Sequence, residues 1–239
     1  MKVRWFVLGV VAAVAFALPA TVQAQVFSDN FDSYAAGSTI AGQGGWETWA
    51  SNPAANATVV NSQSYSAPNS LAVQDAADIV HQFGGLTTGL WYAKVRTYVP
   101  STQSGELFFI ILNRYDGGAC AGTACNWSVQ LAMCRSGCLT TGVNPGFATN
   151  LGGSDIAGTG SAALITDQWV EVLVEINLDA NQYSIYYDGI LLDTLGWTGS
   201  GDINIACFDL YSNGSSESYM DNVWLDTTIP VELQSFDIE

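Results

Sequence analysis

The stretch Gln168-Trp-Val-Glu-Val-Leu-Val-Glu-Ile-Asn-Leu178, followed by Asp179-Ala-Asn-Gln182 and Tyr183-Ser-Ile-Tyr-Tyr-Asp-Gly-Ile-Leu-Leu192, decides the fold. Val170, Val172, Val174, Ile176 and Leu178 fall on one face and Glu171 and Glu175 on the other, the alternation of a half-buried strand. Asp188-Gly189 is a dipeptide whose positive φ angles suit a two-residue hairpin between twisted strands. Three strands joined by tight turns are therefore expected here.

Further short apolar or alternating runs, separated by Gly, Asn and Ser clusters, lie at Ser70 to Val73, Ile79 to Phe83, Trp91 to Val99, Glu106 to Asn113, Asn126 to Met133, Ile203 to Tyr211 and Ser218 to Leu225. Helical periodicity is nearly absent. Many short strands with Gly-rich turns imply an all-β antiparallel sandwich. Phe108 to Leu112 is apolar on both faces, which predicts a central strand covered on each side. In Asn126 to Met133, Trp127, Val129 and Leu131 alternate with Asn126, Ser128 and Gln130, so a polar face is expected to meet water or a ligand. Gly142 to Leu164 lacks periodicity and reads as long loops at one rim.

Met1 to Ala24 has Lys2 and Arg4 ahead of an apolar run and ends in Val22-Gln23-Ala24, the pattern of a secretory signal peptide cleaved near Ala24-Gln25. The expected organisation is residues 1–24 signal peptide, 25–226 one sandwich domain, and 227–239 a tail. Without Lys2 and Arg4, the four basic residues Lys94, Arg96, Arg114 and Arg135 face 22 acidic ones, a net charge of −18. Nucleic acid and anionic membrane surfaces are poor partners for such a chain, and no membrane insertion is expected after processing.

Five cysteines in an exported chain point to an oxidising compartment. The strand Asn126 to Met133 would hold Cys125 and Cys134 roughly 30 Å apart at about 3.3 Å per residue. That far exceeds the roughly 7 Å limit between α-carbons for a disulfide. Local pairing, Cys120 with Cys125 and Cys134 with Cys138, is the expectation, and the same distance argues against a four-cysteine zinc site. Cys207 is left as a small buried hydrophobe.

The elements Trp169-Val-Glu-Val, the Leu178-Asp179 turn and Tyr186-Tyr-Asp-Gly189, together with Phe27-Ser-Asp-Asn-Phe-Asp-Ser-Tyr34 and Tyr219-Met-Asp-Asn-Val-Trp-Leu225, resemble the laminin-G-like branch of the concanavalin A-like lectin and glucanase superfamily. The resemblance implies a jelly roll whose first and last strands lie side by side. It also implies calcium (Ca2+) near Asp29, Asp32 and Asp221, since such an ion takes six to eight hard oxygens. Asp29, Asn30 and Asp32 equally suit turn caps that bond their own backbone. The tail Pro230-Val-Glu-Leu-Gln-Ser-Phe236 looks like a short segment near the ends of many secreted bacterial proteins.

Hydrolases of that superfamily often carry Glu-x-Asp-x-x-Glu or Glu-x-Asp-x-Glu on one strand, and neither occurs here. Glu171 and Glu175 share a strand face about 13 Å apart, too far for a glycosidase pair, and read as solvated charges. Glu106 and Asp116 bracket an apolar strand but stand alone. The single histidine, His81, reads as a structural strand residue, and no Gly-x-Ser-x-Gly elbow is present. Sugar recognition needs flat aromatic faces beside planar amides and carboxylates. On that basis the ligand-binding candidates are Trp46, Trp49, Arg114, Tyr115, Asn126, Ser128 and Gln130. The expectation is a secreted, non-catalytic domain that binds an extracellular glycan or another surface macromolecule. The alternatives are a diverged glycan hydrolase or lyase of the same fold, and a structural cell-surface or matrix component.

Overall fold

The computed structural model describes residues 27–228 apart from 119, 121 and 123. The expected signal peptide and residues 229–239 of the tail lie outside the described residues. In chain order the strands are β1 (Phe27–Asp29), β2 (Trp46–Thr48), β3 (Thr58–Val60), β4 (Ser70–Ala72), β5 (Asp78–Gln82), β6 (Leu90–Tyr98), β7 (Glu106–Arg114), β8 (Asn126–Cys134), β9 (Phe147–Asn150), β10 (Ser161–Ala163), β11 (Trp169–Asn177), β12 (Gln182–Tyr187), β13 (Ile190–Gly196), β14 (Cys207–Asn213) and β15 (Tyr219–Asp226).

They form two antiparallel sheets stacked as a jelly-roll sandwich. The first runs β13-β12-β11-β6-β15-β4-β3, with β1 also paired to β15, and the second runs β10-β9-β8-β7-β14-β5-β2. The first and last strands do lie side by side, Phe27 opposite Leu225 and Asp29 opposite Val223. Strand β11 alternates buried and half-buried residues along its length, as its sequence requires. Asp188 and Gly189 take φ of 49° and 73°, the left-handed pair that closes the β12–β13 hairpin.

Between the sheets sits one apolar core, which includes Phe109, Ile111, Leu131, Val172, Ile185 and Phe208. The outer side of the second sheet carries a smaller apolar cluster around Phe108, Ile110 and Leu112, packed by Trp49, Trp127 and Tyr115. That double cover is why β7 reads as apolar on both faces. The segment expected to be loops at 142–164 contributes β9 and β10, which extend the second sheet past β8. Strands of four and three residues rich in Ala and Thr are too short to show an alternation.

Both expected disulfides are formed, with Cα separations of 5.0 Å for Cys120–Cys125 and 5.9 Å for Cys134–Cys138. Cys207 is a buried free thiol, and burial raises its pKa well above the ordinary thiol value. Two disulfides are consistent with an extracellular protein. Among the described residues no helix is long and apolar enough to cross a membrane.

Candidate functional site

Strand parity builds a groove on the outer face of the second sheet. Along β14, Phe208 and Leu210 point into the core while Cys207, Asp209, Tyr211 and Asn213 point outward; along β5, Ile79 and His81 point in while Asp78 and Val80 point out. The register sets Tyr211 opposite Asp78 on one side and Phe108 on the other, and Asp209 opposite Val80 and Ile110. The result is a cavity of about 440 Å3 floored by Phe108, Ile110 and Asp209, with Gln130 and Asn213 on its margins.

One wall is aromatic. Trp49 follows β2, Trp127 belongs to β8, and their rings lie nearly parallel, 21° between planes and 6.1 Å between centroids. Tyr115 packs against Trp49 at 4.7 Å, and its hydroxyl accepts the Ala50 N–H at 3.2 Å. Burial pushes the Tyr115 pKa up to about 12, so the phenol stays neutral. Cys120 of the first disulfide also lines the groove.

The floor carries an acid pair. Asp209 is only 3% exposed and Asp78 half-buried, and Oδ1 of each receives no N–H or O–H from any other group. Two carboxyls side by side on one sheet face, each with an oxygen that no donor reaches, resist ionising together, as neighbouring like charges do. Burial, reinforced by the negative charge of Asp78, holds Asp209 well above the usual carboxylate range. Burial also pushes Asp78 up to about 6, against a hydrogen bond from Asp209 that lowers it.

Two glutamates flank the pair. Glu47 lies on the outer face of β2 opposite Val80 and accepts a hydrogen bond from Gln82 Nε2. It is thus the diagonal cross-strand neighbour of Asp78, a relation that sets α-carbons about 7–8 Å apart. Glu106 does not stand alone. It is fully buried at the far end of the groove, where Oε1 accepts the Leu139 and Thr140 N–H groups at 2.8 and 2.7 Å, and Oε2 accepts Thr140 Oγ1 and Asn213 Nδ2, both at 2.7 Å.

Of the residues expected to bind ligand, Trp49, Tyr115 and Gln130 are at this groove, Tyr115 as a support behind Trp49. Trp46 is corrected to a core residue: it is 1% exposed, and its Nε1 donates to Asp29 at 2.8 Å. Trp46 lies in β2 with its ring in the core, whereas Trp49 opens the 3-10 turn that follows and packs on the outer side of the sheet. Asn126 and Ser128 are also corrected. Register shifts in the β7–β8 pair turn Trp127 outward to stack on Trp49. Asn126 and Ser128 are left buried as acceptors for Asn113 Nδ2 at 2.7 and 2.8 Å. This amide knot leaves no room for a side chain at Gly201. Arg114 is at the rim, where it makes a two-pronged contact with Asp202 at 2.8 and 3.0 Å.

The three residues expected to bind calcium each accept hydrogen bonds within the protein. Asp29 accepts from Phe31 N, Tyr34 Oη and Trp46 Nε1; Asp32 accepts from Asn69 N and Asn30 Nδ2; Asp221 accepts from Tyr65 N, Ser66 N and Asn222 N. Phe31 N to Asp29 and Asp32 N to Asn30 Oδ1 are the local turn caps, while the remaining bonds tie these carboxylates to distant segments. Among the described residues no three or more carboxylate, imidazole or thiol side chains converge in a metal-binding arrangement. His81 is 8% exposed among Phe27, Trp46 and Phe83, and burial lowers its pKa. Glu171 is not merely solvated: it bridges Lys94 at 2.6 Å and Arg96 at 2.9 Å.

Sequence reasoning missed Asp78 and Asp209. The available signal was a lone acid inside an otherwise apolar run, Ala206-Cys-Phe-Asp-Leu210, which a central strand tolerates only with a partner.

No protein-family model matches the chain, and no curated protein matches it. Solved structures do. The fold is similar to an endo-beta-1,4-glucuronan lyase from the fungus Trichoderma reesei, at TM-score 0.52 and 10% identity over 84% of this chain and 95% of that one. It is similar to the alginate lyase Aly36B, solved as a mutant with alginate trisaccharide, at TM-score 0.54 and 12% identity over 85% and 98%. It is also similar to the cellulose induced protein Cip1, at TM-score 0.51 and 15% identity over 84% and 97%. At these identities the shared property is the fold. The expectation of a non-catalytic domain is corrected on this finding. It rested on the absence of two carboxylate motifs and a serine-hydrolase elbow and on there being one histidine, and a sandwich shared with two glycan lyases is not made non-catalytic by lacking those features.

Proposed function

We propose that the groove on the second sheet cleaves a neutral glycan by acid-assisted hydrolysis, with Asp78 as the proton donor. The observation that carries this reading is the Asp78–Asp209 pair on the floor of an aromatic-walled groove. A general acid should hold its proton near working pH, and burial supplies that shift at Asp78. Asp209, sealed beneath, is a positioning residue that orients the Asp78 carboxyl through their shared proton. Sugar rings lie against Trp49 and Trp127, whose flat faces suit the C–H faces of pyranoses.

Asp78 O–H protonates the glycosidic oxygen as the C1–O bond breaks. A water adds to C1 and gives its proton to Glu47. The proton on Glu47 then returns to Asp78 through solvent. Because Glu47 acts on the water as a base and not on C1 as a nucleophile, the reaction inverts the anomeric centre.

Charge supports a neutral substrate. No lysine, arginine or histidine lines the groove among the described residues, and the chain carries a net charge of −16. A uronate polymer of the kind named for the two lyases would bring carboxylates against carboxylates. The pH-rate profile with a cleaved polysaccharide tests the reading. We expect kcat to fall tenfold per pH unit above about 6, with proton NMR showing the inverted anomer first. Retained activity to pH 9, or an unsaturated product, would discard the mechanism.

A further inference from the structure

We infer that the protein has a second saccharide-binding site on the opposite side of the sandwich, formed around Trp224 on the outer face of the first sheet. Its origin is a break in strand pairing. Residues Tyr219 and Met220 of β15 pair with β4, whereas residues Val223 to Leu225 pair with β1, and between them the register shifts and Asn222 adopts φ of 47°. The backbone of Tyr65 and Ser66 fills part of the gap, donating to the buried Asp221 carboxylate at 2.8 and 3.0 Å. What remains open is a cavity of about 470 Å3.

Its lining has the chemistry that saccharides use. The Trp224 ring gives an apolar plane, and Ser28, Asn30, Ser66, Asn222 and the Lys94 ammonium surround it with hydroxyl, amide and cationic groups. Several of these are already held in place: Ser66 Oγ donates to Asn222 Oδ1 at 2.8 Å, and Lys94 is fixed by Glu171 at 2.6 Å. A cavity of this size is within the range of small-ligand sites. Four residues further along β6, about 13 Å at standard rise, Tyr98 packs against Trp169 at 5.5 Å and Tyr219 at 6.1 Å on the same face. Tyr65, 41% exposed, joins them 6.2 Å from Trp169. A glycan chain seated on Trp224 therefore has a second aromatic patch within reach. Lys94 is paired with Glu171 and Asp29 also lines the cavity, so the local charge is balanced and the ligand class is again a neutral saccharide.

The two sites occupy opposite faces, so their tests separate. Isothermal titration of the full chain carrying Asp78→Asn against gluco-, xylo-, manno- and chito-oligosaccharides is expected to show two binding events. Trp224→Ala should abolish one, weakening it at least tenfold, and Trp127→Ala the other. Ser28→Trp, which fills the cavity without removing packed atoms, should act like Trp224→Ala, which guards against a folding defect. A single event lost with Trp127→Ala and indifferent to Trp224→Ala and Ser28→Trp overturns the second site and leaves the groove standing. A single event with the reverse dependence supports the second site and counts against the groove. No binding to any member of the panel overturns both.

Discussion

Asp78→Asn is expected to lower the rate of glycan cleavage at least a hundredfold while making the protein more stable above pH 6. The loss follows from removing the proton donor, a contribution that general acids typically make at about 10²–10⁴-fold. The gain follows from the same burial. In the folded chain burial raises Asp78 from the ordinary value of 3.8 to about 6. Between those values the folded state holds a proton that the unfolded state has released, so this group's contribution falls as pH rises from about 4 to about 6. Asparagine has no charge to bury and can still donate to Asp209. Discounted for the solvent that reaches Asp78, the benefit at pH 8 is about 1 kcal/mol, or roughly 2–4 °C in melting temperature. The difference between variant and wild type should vanish below pH 4. Comparing the two proteins at each pH cancels His81, whose lowered pKa makes the folded state less stable as pH falls below 6.5. A variant less stable than wild type at pH 8 would mean that the pair is not under this strain.

Glu106→Ala is expected to cause the largest loss of stability at the groove. The carboxylate accepts four hydrogen bonds, joining β7 to the Leu139–Thr140 backbone and to Asn213 of β14, with no exposure to water. Truncation leaves the Leu139 and Thr140 N–H groups without their acceptor and the Asn213 amide with only Thr140 Oγ1. The cost should be about 3–4 kcal/mol, or roughly 6–16 °C in melting temperature. Glu106→Gln keeps the shape, its oxygen accepts the two N–H groups and its amide can donate to Thr140 Oγ1, but it meets Asn213 Nδ2 donor-to-donor, so a loss between wild type and alanine is expected in thermal melts. A change under 2 °C for alanine would show that the network contributes little.

The sandwich was legible because its strands obey parity. The β11 alternation, the Asp188-Gly189 turn and the doubly apolar β7 each correspond to a position in the fold. Parity failed where the backbone departs from regular pairing. Register shifts in β7–β8 sent Trp127 outward and Asn126 and Ser128 inward, reversing an inference that holds for an unbroken strand. The acid pair could not be read from spacing at all. Asp78 and Asp209 come from β5 and β14, far apart in sequence, and only the antiparallel register of those strands makes them neighbours on one face. Similarly, the cavity at Trp224 depends on β15 changing partners, which nothing in Tyr219-Met-Asp-Asn-Val-Trp-Leu225 announces.

Release of reducing ends from a panel of neutral polysaccharides, run beside alginate and glucuronan at pH 5, is the most direct test of cleavage in the groove. Release is expected from at least one neutral polymer, none from the uronates, and none from any of them with Asp78→Asn. Release that persists undiminished in Asp78→Asn, or that occurs only with the uronate polymers, would contradict the proposed mechanism.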